Sequence, residues 1–225
     1  MTSLTTRTFD TRAALDRALE QRLGQALAQR CASAIMLSGG STPMAAYRAL
    51  ARAAPHHDDR LHVLFTDERY VPADDPASNY FQSRALLDVL GLPDEALLRV
   101  RTELPLAAAA ADYDARLTTL LSSGVHVGLG LLGLGADGHT CSLFSAADLA
   151  LARGRYALSV RRPDGLSAVS VTPEFLSTVR EPVFVVAGAS KREAVARLQA
   201  QDLQLTAWAA VQDCASVELW VSAAD

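Results

Sequence analysis

Cysteine is scarce in this chain and poorly spaced for chemistry of its own. Cys31, Cys141 and Cys214 are an odd set with no C-x-x-C pair, which is neither a disulfide framework nor a zinc signature. A reducing compartment, the cytoplasm, is the expected setting. Long apolar runs are also missing. No stretch approaches the roughly eighteen residues that span a bilayer, and residues 1–10 hold no apolar segment of signal-peptide type, so no membrane partner is expected. Nor is one sign of charge in excess. Lys and Arg number 21 against 25 Asp and Glu, a formal net charge of −4 interspersed along the chain, which excludes a basic face for nucleic acid. An anionic substrate would have to be held by local donors against a mildly repulsive overall field. Repeats, low-complexity tracts and linkers are absent.

What is present is apolar sequence in alternating patterns. Half of the 225 residues are apolar, enough for a sizeable core, and residues 1–225 are expected to form one domain. Residues 11–30 carry Leu15, Leu19, Leu23 and Leu27 at four-residue spacing, an amphipathic helix. Strand-length runs cover residues 32–37, 61–66, 125–132, 153–161, 168–171, 183–187 and 216–221. Helical patterns cover residues 43–53, 79–90 and 105–122, with a short one opening at Thr172-Pro173-Glu174 and another capped by Ser190 and Glu193. Strands alternating with helices imply an α/β fold with a doubly wound, mostly parallel sheet.

Polar groups collect where these strands end. Residues 125–132 run into Gly133-Leu134-Gly135-Ala136-Asp137-Gly138-His139-Thr140-Cys141-Ser142, a glycine turn carrying a carboxylate, an imidazole and hydroxyls. Ligands of open α/β sheets settle outside the carboxyl ends of strands, and a histidine there is suited to take a proton near neutral pH. Residues 32–37 lead into Ser38-Gly39-Gly40-Ser41-Thr42-Pro43, with Thr42 as the expected N-cap and Pro43 as the first helical position. Amide N–H groups and hydroxyls converging there, aided by the helix dipole, suit a phosphate. The loop lacks the spacing and lysine of a Walker A motif, so a nucleoside triphosphate is not indicated. Gly128-x-Gly130-x-x-Gly133 lies within a strand pattern and leads to no helix, so it reads as strand glycine.

Residues 61–66 end in Asp67-Glu68-Arg69, again charges at a strand end, and Asn79 opens the following helix, where it is placed to orient a sugar hydroxyl. Lys191 is expected in a first helical turn. A cation there opposes the helix dipole unless an anion lies between them. His56-His57-Asp58-Asp59 is read as a solvated connector, and Cys141 as a small buried thiol instead of a nucleophile.

Taken together, Ser38-Gly-Gly-Ser-Thr-Pro43, Thr66-Asp-Glu-Arg-Tyr-Val-Pro72, Ser78-Asn-Tyr80, the Leu132–Phe144 motif and Gly188-Ala-Ser-Lys191 resemble the 6-phosphogluconolactonase family over nearly the whole chain. The resemblance implies a modified Rossmann-like fold and hydrolysis of a phosphorylated sugar lactone without metal or cofactor, in a monomer or small homo-oligomer. It implies His139 as the base with Asp137 beside it and Arg69 at the reacting centre. It implies Ser38, Gly39, Gly40, Ser41, Thr42 and Lys191 around the phosphate, and Asp67, Glu68, Asn79 and Gly138 elsewhere about the sugar. Two positions depart from the family. Ser145 stands where it usually has proline, and Ser167 where it usually has an arginine, which leaves Arg161 or Arg162 to reach the phosphate. The alternatives are a sugar-phosphate isomerase or deaminase of glucosamine-6-phosphate type, or a non-catalytic sugar-phosphate sensor. The isomerase chemistry needs a further acidic group after the histidine, and residues 140–145 offer none.

Overall fold

The computed structural model describes residues 2–222; Met1 and residues 223–225, which the expected domain span of 1–225 includes, lie outside the described residues. In chain order the elements are β1 (Ser3–Phe9), α1 (Arg12–Leu27), β2 (Ser33–Leu37), α2 (Met44–Ala53), β3 (Leu61–Phe65), β4 (Asp67–Arg69) and α3 (Asn79–Leu90). Then come β5 (Leu97–Leu98), α4 (Leu106–Ser122), β6 (His126–Leu132), α5 (Ala146–Leu151), β7 (Ala157–Arg161), β8 (Ser167–Val171) and α6 (Pro173–Leu176). The chain closes with β9 (Glu181–Val186), α7 (Arg192–Gln199), α8 (Thr206–Val211) and β10 (Ser216–Ser222).

Seven strands form a parallel sheet in the order β1-β10-β9-β6-β2-β3-β5. The expected doubly wound parallel sheet is therefore present. It is covered on both faces, and the strand sequences show why. In β2, Ile35 and Leu37 pack with α1, α2 and α3, while Ala34 and Met36 turn to the opposite face, against α4, β7, β8 and α8. A strand buried on both sides needs continuous apolar sequence, which is what Ser33–Leu37 supplies after its first residue.

A second, antiparallel sheet, β4-β8-β7, was not expected from the sequence. It begins where Thr66 leaves the main sheet: the Thr66 amide still donates to the Leu37 carbonyl, whereas its own carbonyl accepts from the Val171 amide. Asp67, Glu68 and Arg69 then pair with Ser170, Val169 and Ala168. Three charged or acidic residues carry no strand propensity; the pairing with β8 imposes it.

Two buried tyrosines finish the carboxyl ends of adjacent strands. The Tyr47 hydroxyl donates to the Ser38 carbonyl (3.0 Å) and accepts from the Ser38 amide (3.3 Å). Tyr113 does the same for Phe65, donating at 2.6 Å and accepting at 3.1 Å. Each satisfies both backbone groups of a residue where the ladder runs out.

Local signals were overridden at three places. Thr42 does not cap α2: the helix starts at Met44 with Pro43 before it and no side-chain cap, because Arg12 of α1 draws the Ser41 and Thr42 carbonyls toward itself and the chain turns first. Ser190 and Glu193 form no capping box. Ala189–Lys191 is a 3₁₀ turn, so Lys191 precedes α7 instead of lying in its first turn. Residues 153–156 are not strand, and β7 starts at Ala157. Ser145, the position that departs from the family pattern, caps α5 reciprocally: its Oγ accepts from the Asp148 amide (3.2 Å), and Asp148 accepts from the Ser145 amide (2.9 Å).

Candidate active site

The carboxyl ends of β9, β6, β2 and β3, neighbours in the main sheet, open on one cavity of about 440 Å³. Ser38, Gly39, Gly40, Ser41 and Thr42 line one side. Asp67, Arg69 and Asn79, then Gly133, Leu134, Gly135 and His139, and Lys191 line much of the rest. Segments more than 150 positions apart in the chain thus meet in one place.

His139 is held by the turn that carries it. Its Nδ1 lies 2.5 Å from Asp137 Oδ1, and its backbone amide donates to the same oxygen at 3.3 Å. The ring packs at 4.4 Å between centroids on Phe144. With Nδ1 donating to a carboxylate, the tautomer is fixed and Nε2 is the nitrogen left for a substrate or water. Burial alone raises the Asp137 carboxyl, but the hydrogen bond and charge of His139 outweigh it and the net shift is downward. Gly135 is what makes room for the pair: a Cβ there would stand 2.1 Å from His139 Nδ1 and 2.2 Å from Asp137 Oδ1. Asp137 itself does not line the cavity; it stands behind the imidazole.

On the β2 side the Gly40 amide donates to Gln82 Oε1 (3.1 Å), and Arg12 clasps the carbonyls of Ser41 and Thr42 from outside. Lys191 and Ser190 face the same cavity from the β9 side, and among the described residues Lys191 has no carboxylate partner. A phosphate-sized anion between these segments would meet hydroxyls, amides and one ammonium.

The third wall is a hydrogen-bonded lattice. Asp67 accepts from Ser142 Oγ (2.6 Å) and Thr66 Oγ1 (2.8 Å). The Asn79 carboxamide donates to the Asp67 carbonyl (2.8 Å) and accepts from Arg69 Nη1 (2.8 Å), which also donates to the Ala77 carbonyl. Gly39 passes so close to this carboxamide that a Cβ on it would lie 1.9 Å from Asn79 Oδ1, so the phosphate-side loop and the sugar-side lattice pack against each other.

Besides Asp137, two expected site residues lie off the cavity. Glu68 is buried and does not line the cavity; its carboxylate is turned onto the N-terminus of α3 by four donors. Gly138 also lies off the cavity, packed on Leu205, with its carbonyl accepting from the Ala207 amide. Of the two arginines left open by the sequence, Arg162 lines the cavity while Arg161 is exposed. Arg162 follows the end of β7, stacks over Phe144 (5.3 Å), reaches Ser142 Oγ (3.3 Å) and pairs with Asp164 (2.9 Å). Ser142, Ser190 and Phe144 stand inside motifs quoted from the sequence but were assigned no role at the site. The signal for them was membership of the histidine and lysine motifs.

Cys141 lines the cavity too, with φ +53, an uncommon left-handed conformation for a residue with a side chain. Burial pushes its thiol well up, which disfavours a thiolate nucleophile. His57, in the His-His-Asp-Asp connector, bonds to the carbonyls of Asp58 and Leu90.

Comparison with known proteins agrees in extent with this architecture. A family model described as glucosamine-6-phosphate isomerases/6-phosphogluconolactonase matches residues 8–220. A 6-phosphogluconolactonase of Nostoc sp. is 38% identical over 183 residues, covering 79% of this chain and 75% of the relative. A 6-phosphogluconolactonase of Homo sapiens is 33% identical over 201 residues, covering 79% and 78%. A solved structure of a devB protein superposes with a TM-score of 0.87 at 28% identity, covering 97% of this chain and 96% of that one. With a match over almost its entire length and relatives above 30% identity, the chain belongs to the glucosamine-6-phosphate isomerase/6-phosphogluconolactonase family.

Proposed function

We propose that this protein, acting as a single domain over residues 1–225, hydrolyses 6-phospho-D-glucono-1,5-lactone to 6-phospho-D-gluconate. The observation that carries the reading is the shared cavity: a histidine with a fixed tautomer opens on the same space as the Ser38 to Thr42 loop and Lys191. The relatives named as 6-phosphogluconolactonases support the substrate.

In this mechanism the phosphate is anchored by the Ser38 to Thr42 loop and Lys191, which fixes the lactone ring relative to the imidazole. His139 Nε2 removes a proton from water as the water oxygen bonds to the lactone carbonyl carbon. Asp137 stabilises the imidazolium that forms. Arg69 and amides of the 133–135 turn stabilise the tetrahedral oxyanion. When that intermediate collapses, the bond to the ring oxygen breaks and His139 returns the proton to it. No step calls for a metal or an organic cofactor. Arg162 adds a third cation to the cavity wall beside Arg69 and Lys191 and takes up the place left by the arginine that Ser167 replaces.

The test is loss of freshly prepared lactone above its spontaneous hydrolysis. His139→Ala should lower kcat by on the order of a hundredfold or more while leaving 6-phosphogluconate binding nearly unchanged; near-normal turnover removes the base assignment. Asp67 is a cavity carboxylate of the kind an isomerase uses for proton transfer, but Ser142 and Thr66 already donate to it at 2.6 and 2.8 Å. Ammonia release from glucosamine 6-phosphate distinguishes that reading.

A further inference from the structure

Helix α3 presents an N-terminus to the region of the site, and such an end normally attracts a substrate anion. Here it is already filled from within the protein. Glu68 Oε1 accepts from the Asn79 amide (2.7 Å) and the Arg69 amide (2.9 Å), and Oε2 accepts from the Tyr80 amide (2.8 Å) and Ser78 Oγ (3.1 Å). Ser78 Oγ in turn takes the Phe81 amide (3.1 Å). The first three amides of the helix are thereby satisfied, two of them by one buried carboxylate.

The consequence for the site lies in what those bonds fix. Asn79 is the first residue of α3, and its carboxamide is the only bridge between the Asp67 carbonyl and the Arg69 guanidinium among the described residues. Glu68 stands between Asp67 and Arg69 in β4, gripping the backbone of Arg69 and of Asn79 at once. Two cavity groups from different elements are therefore registered against each other by a side chain that never reaches the cavity.

We propose that Glu68 is a positioning residue, which by occupying the N-terminus of α3 sets the Asn79 carboxamide and, through it, the Arg69 guanidinium that faces the substrate. Only the kinetic half of this proposal rests on the lactonase reading. Glu68→Gln preserves shape but places N–H groups where donors already point, so one amide of α3 must let go. Alone it should lower kcat/KM by on the order of tenfold to a hundredfold, since a small misplacement at a reacting centre has effects of that size. In an Asn79→Ala background the same change should cost less than about threefold, because coupled residues are not additive. A residue that only stabilised the fold would give the same factor in both backgrounds, and that outcome overturns the proposal.

A substrate-free readout separates the two readings. The side-chain ¹⁵N–¹H resonances of Asn79 should shift or broaden in E68Q; unchanged resonances also overturn the proposal. Should E68Q fail to fold, Ser78→Ala removes one of the four donors and should move the same signals less far. If the wild-type chain leaves the lactone at its spontaneous rate, the hydrolase reading falls, and the Asn79 resonances still decide for or against Glu68.

Discussion

At the scale of single residues, the site depends on what is small as much as on what is charged. Gly135→Ala would drive a methyl group into both His139 and Asp137. The expected result is loss of kcat by about a hundredfold, with the melting temperature changed by only a few degrees, because the clash falls on two side chains, His139 and Asp137, that are partly or fully exposed and have room to swing away. Asp137→Asn tests the tautomer directly: an amide can donate to Nδ1 and leave the proton on Nε2, where the base is needed. Turnover should fall by on the order of a hundredfold with KM little altered, measured by initial rates on the lactone. His139, Arg69, Lys191 and the glycine loop were legible in the sequence because each polar cluster follows a strand-length apolar run. Glu68 was placed with them for the same reason and stands elsewhere, since β4 alternates its side chains and only Asp67 and Arg69 share the cavity side.

At the scale of elements, segments with a clear apolar run or a cap signal read correctly, including the short β8 and the Thr172-capped α6, whereas β4, β5, α5 and α8 did not. Helix α1 announces itself by its leucine spacing, and β2, β3, β6 and β9 by length and apolarity. Strand β1 gives no such signal. Its Leu4-Thr5-Thr6-Arg7-Thr8 run is mostly exposed at a sheet edge, held by pairing with β10 and by Arg7 stacking over Phe9 and Trp220. The hydroxyls of Tyr47 and Tyr113 are an element-scale device that no pattern reveals, because each acts on a strand 9 or 48 positions away. Tyr47→Phe and Tyr113→Phe should each destabilise the protein by about 1–3 kcal/mol in urea unfolding, the cost of two buried backbone groups losing their partner. The two penalties should add, as the sites share no contacts in the hydrogen-bond lattice.

For the molecule as a whole, the arrangement of the sheet governs both pH response and folding. Burial pushes the Glu68 carboxyl up to about 7, against the opposing pull of the Tyr80 and Asn79 amides, with the Asp67 carboxylate adding to the rise. The folded state then holds this proton more tightly than the unfolded chain, so the associated stability is complete below about 4.5 and is lost as pH rises toward 7. Wild type should lose stability relative to E68Q across that window, read from urea midpoints at matched pH; a constant difference would contradict the assignment. The α/β class was legible because strands and helices alternate, whereas the sheet order and the antiparallel β4-β8-β7 sheet were not, since neither leaves a trace in local periodicity. One feature of that order reaches into synthesis itself. Among the described residues, β1 has β10, more than 200 positions later, as its only neighbour in the sheet. A growing chain must therefore carry an unmatched β1 until β10 emerges, and a product stopped short of Ser216 would leave both β1 and the outer rim of β9 open to other molecules, a recipe for clumping instead of a smaller working enzyme.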